Sequence, residues 1–343
     1  MPEAVIVSAA RTPIGSFLGG LSSIPAPRLG AVAIKAALER AKVDAKLVDQ
    51  VIMGNVLSAG QGQAPARQAM IYAGIPQGCP AMTINKVCGS GMQAVNLARN
   101  AILAGESECV VAGGMENMSL APYLMEEART GFRMGEKKIK DSMVSDGLWD
   151  PYNNFHMGNA AELCVKEHKF TREEQDRFAR QSFERAQAAQ KSGAFKAEIA
   201  PVSIPQKKGD PVSFDTDEGP GKVDFSKMTG LRPAFDKEGT ITAANASTIN
   251  DGAAALVVTS REFADKHGLK PMAKILSCGT HAQAPEWFTT APVEAMKKAL
   301  KKANLNPNDI DLWEVNEAFA VVALAAAKGV EIPDRKSTRL NSS

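Results

Sequence analysis

Cys88 is the residue around which chemistry can be organised. It lies in MTINKVCGSGMQAVNLARNAILAGESECVVAGGMENMS, residues 82–119. MTINKV alternates as a strand does, Gly89, Ser90 and Gly91 follow, and Met92, Val95, Ala98, Ala101 and Ile102 recur at helical spacing. Gly105 closes that helix, and Glu108 to Ala112 read as a buried strand. A thiol is thereby placed at the first turn of a helix, where unpaired N–H groups and a partial positive charge favour thiolate. A free cysteine ionises near pH ~8.5, so such an environment would make a nucleophile near neutrality. The flanking glycines leave the backbone open to a substrate. The pattern parallels the nucleophile elbow of hydrolases with sulfur in place of oxygen. The competing reading is a small buried residue at a strand end.

Two other polar groups stand in apolar settings. His156 belongs to GLWDPYNNFHMG, residues 147–158, whose Trp149, Tyr152, Phe155 and Met157 need something to cover. A histidine there is either a satisfied core residue or a ligand contact. Asn316 precedes an apolar run in NEAFAVVA, as a helix N-cap would. His168 and His267 lie among charges, and His281 belongs to no motif. The cysteines at 79, 88, 109, 164 and 278 show neither metal-ligand spacing nor a disulfide framework, which suits a reducing compartment.

The elements that position these groups follow from periodicity. Ala4 to Ser8 read as a strand, Leu29 to Arg40 as a helix, Val51 to Met53 as a strand and Ala64 to Ala73 as a helix. Such alternation predicts an α/β class with a mostly parallel sheet covered on both faces. From 121 to 244 charges, Gly and Pro become frequent, as in a binding loop or a solvated excursion. Within it Thr171, with Glu173 and Glu174, caps a helix to Ser192. Asn250 to Val258 resume a helix-then-strand texture, and from about Pro271 the first unit is repeated at an offset of 262 residues, Ala33 matching Ala295, Lys35 Lys297, Leu38 Leu300 and Asp49 Asp311. The short strands VIM and LWEV continue the match. The counterpart of Cys88 falls beyond Ser343, and the tail 334–343, DRKSTRLNSS, is polar and aperiodic.

A hydrophobic content of 44%, a charged content of 23% and a net charge of +2 are those of a globular chain without general attraction to nucleic acid or membrane. No apolar run approaches the roughly 18 residues needed to span a bilayer. The opening strand leaves no room for a leader, so a cytoplasmic location is expected.

NKVCGSGMQAV followed by VVAGGMENMS resembles the nucleophile region of the thiolases, particularly the acetyl-CoA acetyltransferases. VSAARTPIGSF (7–17), GNVLSAGQGQAPARQ (54–68), NASTINDGAAA (245–255) and NEAFAVVA (316–323) match the same family in order, up to about Lys328. The resemblance implies two similar βαβαβαββ halves in α/β/α/β/α layers, divided as 1–120 with 245–270, an inserted loop domain 121–244, and a partial second half 271–333 before the tail. It implies a condensation of two acetyl-CoA to acetoacetyl-CoA, or the reverse thiolysis, through an acetyl group on Cys88. Asn316 would hold an oxyanion-hole water, and His156 and Met157 would stand beside the substrate tunnel, with Leu148, Phe235 and Phe319 lining it. Ala243 and Ser247 would flank the turn that contacts pantetheine, and Lys222 and Lys227 would meet the nucleotide of coenzyme A. No cofactor and no metal are implied, the partners being acetyl-CoA, acetoacetyl-CoA and further copies of the chain in a homodimer or homotetramer. The family's Gly-His-Pro motif and its second-cysteine loop are missing from the sequence, so the chain reads as truncated and inactive in full turnover. Glu317 to Lys328 should then be abnormally exposed and the chain prone to aggregate. A broad-range 3-ketoacyl-CoA thiolase and a non-catalytic acyl-CoA-binding protein are the alternatives.

Overall fold

Strands form where β-branched and small apolar residues can be buried on both faces, as in AVIVSAAR at the start of the chain. The computed structural model describes residues 2–332. In chain order the elements are β1 (Ala4–Arg11), β2 (Gly15–Ser16), α1 (Ala26–Ala41), β3 (Gln50–Gly54), α2 (Pro65–Tyr72), β4 (Ala81–Ile84), α3 (Ser90–Leu103) and β5 (Cys109–Asn117). Then come β6 (Tyr123–Leu124), β7 (Lys140–Asp141), α4 (Ser142–Gly147), β8 (Trp149–Asp150), β9 (Phe155–His156), α5 (Met157–His168), α6 (Arg172–Ser192), β10 (Val202–Ile204) and β11 (Val212–Phe214). The last are β12 (Asn250–Ser260), α7 (Arg261–Lys266), β13 (Ala273–Lys274), α8 (Ala291–Ala303) and α9 (Ala320–Val330), with short 3-10 turns between.

Among the described residues two compact units result: residues 2–147, 196–216 and 249–275, and residues 148–195, 217–248 and 276–332. The stretch 121–244 is thus shared between them. The tail 334–343, expected to be foreign to the fold, lies outside the described residues.

The first unit is built on one sheet, ordered β13-β1-β12-β5-β3-β4, with β2 on β12. The sheet is mixed, which corrects the mostly parallel expectation. β3 runs parallel to β4 and β5, because α2 and α3 supply crossovers. β12 pairs antiparallel with both β1 and β5, Leu256 facing Ala9 on one side and Ala112 on the other. It returns from a long excursion, so no crossover helix sets its direction. Strand alternation sends Val51, Met53 and Val111 to the face covered by α1 and α2, and Ile52, Val110 and Ala112 to the face covered by α3. Each fully buried side chain of the size of Leu29 or Ile34 contributes roughly 1.5–3 kcal/mol by leaving water.

The second unit is mostly helical. Thr171 caps α6 by accepting from the Glu174 N–H, while the Glu174 carboxylate accepts from the Thr171 N–H. The run AVVALAAAKGV makes α9, which packs against α5, α6 and α8. Its Val321, Val322, Ala325 and Ala326 are buried, so the expected exposure of Glu317 to Lys328 is corrected for most of the segment: neighbouring helices already cover its apolar face. Of LWEV, 312–315, Trp313 stands in β-bridge geometry. Trp313 also packs with Val330 and Ile332 and against Val293, Met296 and Leu300, between α8 and α9.

The apolar island folds as the hairpin β8–β9, held by Asp150, whose carboxylate accepts from the Tyr152 and Asn153 N–H groups. Tyr152 is 81% exposed and Trp149 38%, so two of its aromatics are not covered as expected. Among the described residues no helix is long and apolar enough to cross a membrane.

Candidate active site

In the first unit Cys88 occupies a tight elbow between β4 and α3. Its predecessor Val87 has φ +48°, a left-handed conformation that costs a β-branched residue roughly 1–3 kcal/mol. A set of short bonds holds it there. The Asn85 side-chain oxygen accepts from the Val87 N–H at 2.9 Å, and the Ser90 hydroxyl donates to the Val87 carbonyl at 2.6 Å while accepting from the Lys86 N–H at 2.8 Å. The Gly89 and Ser90 N–H groups donate to the Lys86 and Val87 carbonyls. Beneath this, the backbone of β3 comes close: a methyl group on Gly54 would stand 2.6 Å from Ser90 Cβ and 2.9 Å from the Gly91 nitrogen. Only glycine at 54 lets the start of α3 rest on the strand end.

Cys88 is exposed, whereas Cys79, Cys109 and Cys164 are buried and Cys278 is half-buried. The expected lowering of its pKa is corrected. The protein packed around the thiol raises its pKa above the ordinary cysteine value and Glu116 adds to the rise, while a backbone hydrogen bond at Cys88 itself works against both. The partial charge of the helix start is outweighed. Burial pushes Cys79 up to about 11 and Cys109 to about 12, and it raises Cys164.

Glu116, on β5, escaped the sequence reading. Its carboxylate accepts from Asn55 Nδ2 at 2.8 Å, the Val56 N–H at 2.8 Å and the Leu57 N–H at 3.2 Å. Burial raises its pKa, the Val56 and Leu57 bonds lower it, and Asp251 raises it further. The available signal was a charge inside an otherwise apolar strand, VVAGGMEN, since a half-buried carboxylate there must find donors.

The second unit gathers most of the other expected residues. His156 is the N-cap of α5: its Nδ1 accepts from the Gly158 N–H at 3.0 Å, and Asn159 completes a capping box. With Nδ1 as acceptor, the proton of the neutral ring sits on Nε2. Burial lowers the His156 pKa, favouring that neutral form. Phe235 stacks on the ring at 4.8 Å and meets Phe319 edge-on at 6.0 Å. Gly158 makes this stack possible, because a side chain there would enter the Phe235 ring. Met157 packs in the same cluster, and its N–H donates to the Leu148 carbonyl.

Asn316 is exposed and does not cap α9, whose N-cap is Phe319 without a side-chain bond; the N-cap reading of Asn316 is therefore set aside. Its neighbour Glu314 has a pKa pushed up to about 7 by burial and by Glu317. Glu317 accepts from the buried Ser182 hydroxyl at 2.6 Å.

The turn from Ala243 to Ser247 is fastened to the start of α9. Ala320 N–H donates to the Asn245 carbonyl and Ser247 N–H to the Ala318 carbonyl. Asn245 accepts from the Thr242 N–H and donates to Asp176, itself paired with Arg172 at 2.7 Å. Glu162 accepts from the Thr240 and Ile241 N–H groups. These three buried polar residues, Glu162, Asp176 and Asn245, were missed because their partners lie some 60–80 residues away in sequence.

Ala243 and Ser247 themselves are exposed. Lys222 and Lys227 are exposed and paired with acids, Lys222 with Glu218 at 3.8 Å and Lys227 with Asp224 at 3.0 Å. Among the described residues no group of three or more His, Cys, Asp and Glu could hold a metal.

The family description "Thiolase, N-terminal domain" matches residues 4–262, and "Thiolase, C-terminal domain" matches residues 269–341. The chain is 58% identical over 326 residues to the acetyl-CoA acetyltransferase of Cupriavidus necator, covering 95% of this chain and 83% of that one. It is 53% identical over 336 residues to acetyl-CoA acetyltransferase 2 of Arabidopsis thaliana, covering 97% and 83%. With the mitochondrial acetyl-CoA acetyltransferase of Danio rerio it shares 51% over 335 residues, covering 97% and 79%. The chain belongs to the thiolase family.

Proposed function

We propose that the protein is an acetyl-CoA C-acetyltransferase that carries its acetyl group on Cys88. The observation that carries this reading is the exposed thiol at a strained, hydrogen-bonded elbow, in a chain of this family. The Cys88 sulfur attacks the thioester carbonyl of acetyl-CoA, a new S–C bond forms, the bond to the coenzyme A sulfur breaks, and coenzyme A leaves with the thiol proton. A second acetyl-CoA, having lost a methyl proton, attacks the acetyl carbonyl; a C–C bond forms, the bond to the Cys88 sulfur breaks, and the proton returns to that sulfur, giving acetoacetyl-CoA, with thiolysis the reverse. Asn316 holds a water that stabilises the developing oxyanion. His156, Met157, Leu148, Phe235 and Phe319 line the short acyl channel, which favours short chains over a broad-range 3-ketoacyl-CoA specificity. Ala243 and Ser247 flank the pantetheine turn, and Lys222 and Lys227 serve the nucleotide.

The same reading places the chain in the two-halved, five-layered thiolase architecture, with partner copies in a homodimer or homotetramer. Its five unpaired cysteines fit a cytoplasmic setting. The deprotonation step calls for a base and a second cysteine, in motifs that these 343 residues do not contain. The further reading is acyl-CoA binding without turnover. Incubation with labelled acetyl-CoA followed by peptide mass mapping separates the two. Label on the Cys88 peptide supports the transferase; reversible binding without an adduct supports the binding protein and removes the covalent step.

A further inference from the structure

We propose that Lys298, on α8, is an acyl-accepting lysine: His281 serves it as base, Gln283 orients the base, and an acyl thioester is the donor. The cluster lies wholly within the second unit and makes no use of Cys88. The loop 277–283 is laid along α8. Its Ser277 hydroxyl donates to the Ala299 carbonyl at 2.7 Å, and a methyl group on Gly279 would stand 2.8 Å from the Ala299 nitrogen. Lys302 Nζ donates to the Cys278 carbonyl at 3.0 Å, and Lys298 Nζ to the Thr280 carbonyl at 3.2 Å. His281 is thereby brought to Lys298, its Nδ1 3.0 Å from Nζ.

The far side of the ring fixes the roles of its two nitrogens. Gln283 Nε2 donates to the Trp287 carbonyl at 2.5 Å and to the Thr290 hydroxyl at 2.7 Å, so the amide turns its oxygen to His281. That oxygen can only accept, and it lies 3.1 Å from His281 Nε2. The proton of the neutral ring therefore sits on Nε2, and Nδ1 keeps a lone pair toward the lysine. A nucleophile, a base within hydrogen-bond reach and a third group that orients the base are the parts that nucleophilic attack needs. Two other lysines of α8 are engaged differently: Lys297 pairs with Glu294 at 3.1 Å, and Lys302 with a carbonyl. Lys298 is exposed and His281 half-buried, which leaves the amine open to a donor from solvent. In the step, Nζ gives one proton to Nδ1 and attacks the thioester carbonyl. An N–C bond forms and the C–S bond breaks. A second proton leaves the nitrogen with the departing thiol, the third stays on the amide, and the imidazolium returns its proton to water. The class of donor rests on the reading of the chain as an acetyl-CoA enzyme; the nucleophile and its base do not. Lysines at 297, 298, 301 and 302 give α8 a positive field that draws an anionic donor such as acetyl-CoA.

The test gives labelled acetyl-CoA to the full 343-residue chain and follows acetylation of the α8 lysines over time by peptide mass mapping. A parallel series uses the acetyl thioester of N-acetylcysteamine, which carries no nucleotide. Lys298 is read on its own peptide whether or not the Cys88 peptide takes label, so a failed reading of Cys88 is scored separately. With either donor Lys298 should be acetylated at least about tenfold faster than Lys297 and Lys302, the gain from a placed base. His281→Asn, which keeps an acceptor near the Nδ1 position but no base, should bring Lys298 down to the rate of its neighbours. Nitrogen NMR of the neutral His281 ring, which needs no variant, should find the proton on Nε2. Equal rates along α8 overturn the proposal, as does a Lys298 excess that survives His281→Asn. An excess seen with acetyl-CoA alone would assign the selectivity to the nucleotide and also overturn it. A proton on Nδ1 would remove the base and do the same.

Discussion

The two units hold their functional residues by different means. In the first, the backbone does the work. Cys88 is aimed by a strained Val87, by hydrogen bonds within six residues of sequence, and by a glycine strand end beneath it. In the second, buried side chains do it: Glu162, Asp176 and Asn245 fasten a turn to the start of α9, and a capping histidine is clamped by a stacked phenylalanine. A backbone-built site is stiff and intolerant of added atoms. A site built from side-chain bonds loses affinity and order by increments, as each bond is removed.

The sharpest way to break this contrast is at Gly54. Glu or Lys there would be a crude probe; alanine is enough, because its methyl would meet the backbone of Ser90 and Gly91 at 2.8–2.9 Å. Neither partner is a flexible side-chain end, so the elbow must shift. Overpacking of this kind costs about 1–3 kcal/mol, and a displacement of roughly 1 Å at a nucleophile lowers its reactivity about a hundredfold. Labelled acetyl-CoA should therefore mark Cys88 in Gly54→Ala at about a hundredth of the original rate. A Gly54→Ala chain that is acetylated normally would show that the strand end does not aim the thiol.

The corresponding change in the second unit is Asn245→Ala. It leaves the Thr242 N–H and one Asp176 oxygen without their partner in a buried setting, at a cost of about 1–3 kcal/mol. Amide exchange at Thr242 and Ala320 should quicken, while alkylation of Cys88 should keep its rate. Equal loosening at the elbow would erase the distinction between the two modes of support.

How far the sequence reveals this arrangement depends on how local each cause is. The elements around Cys88 were legible, because period-2 and period-3.6 patterns and the glycine at 105, which does adopt φ +75°, are local signals. The direction of β12 was not, since nothing in NDGAAALVVTS says that it arrives without a crossover. The strain at Val87 was hidden because valine ordinarily argues against a positive φ. LWEV looked like a strand because apolar residues suit strands and helix packing alike, and Trp313 serves both, a bridge residue that packs between α8 and α9. Asn316 looked like a cap from its place before an apolar run, but the helix begins four residues later. The pKa of Cys88 was misjudged because a helix terminus is visible in sequence, whereas Glu116 and the packing around the thiol are not.

Smaller changes sharpen the comparison rather than break it. Thr171 supports α6 as an N-cap that was legible from its sequence, and α6 carries Asp176 and Ser182. Thr171→Ala should cost about 1 kcal/mol in urea denaturation. A loss well above that would mean that the cap also orders the network further along the helix, and no loss would mean that the tertiary bonds of α6 make its cap redundant.

The smallest expected effect is a pH dependence at His156. Burial lowers its folded-state pKa below the unfolded value of about 6.5, so the unfolded chain binds the extra proton more readily. The contribution is fully present above pH ~6.5 and is lost as pH falls through the folded pKa. The bond to Gly158 N–H acts in the same direction, because a protonated ring has no lone pair at Nδ1 to accept it. His156→Asn separates capping from titration, since asparagine accepts at an N-cap but carries no ionisable proton. Denaturation midpoints of the original chain and the variant should run parallel above pH ~7 and diverge toward pH ~5, the original chain falling faster. Parallel curves over the whole range would show that the histidine gives its cap without a penalty in acid, and that the second unit has no ionisable weak point at this end of α5.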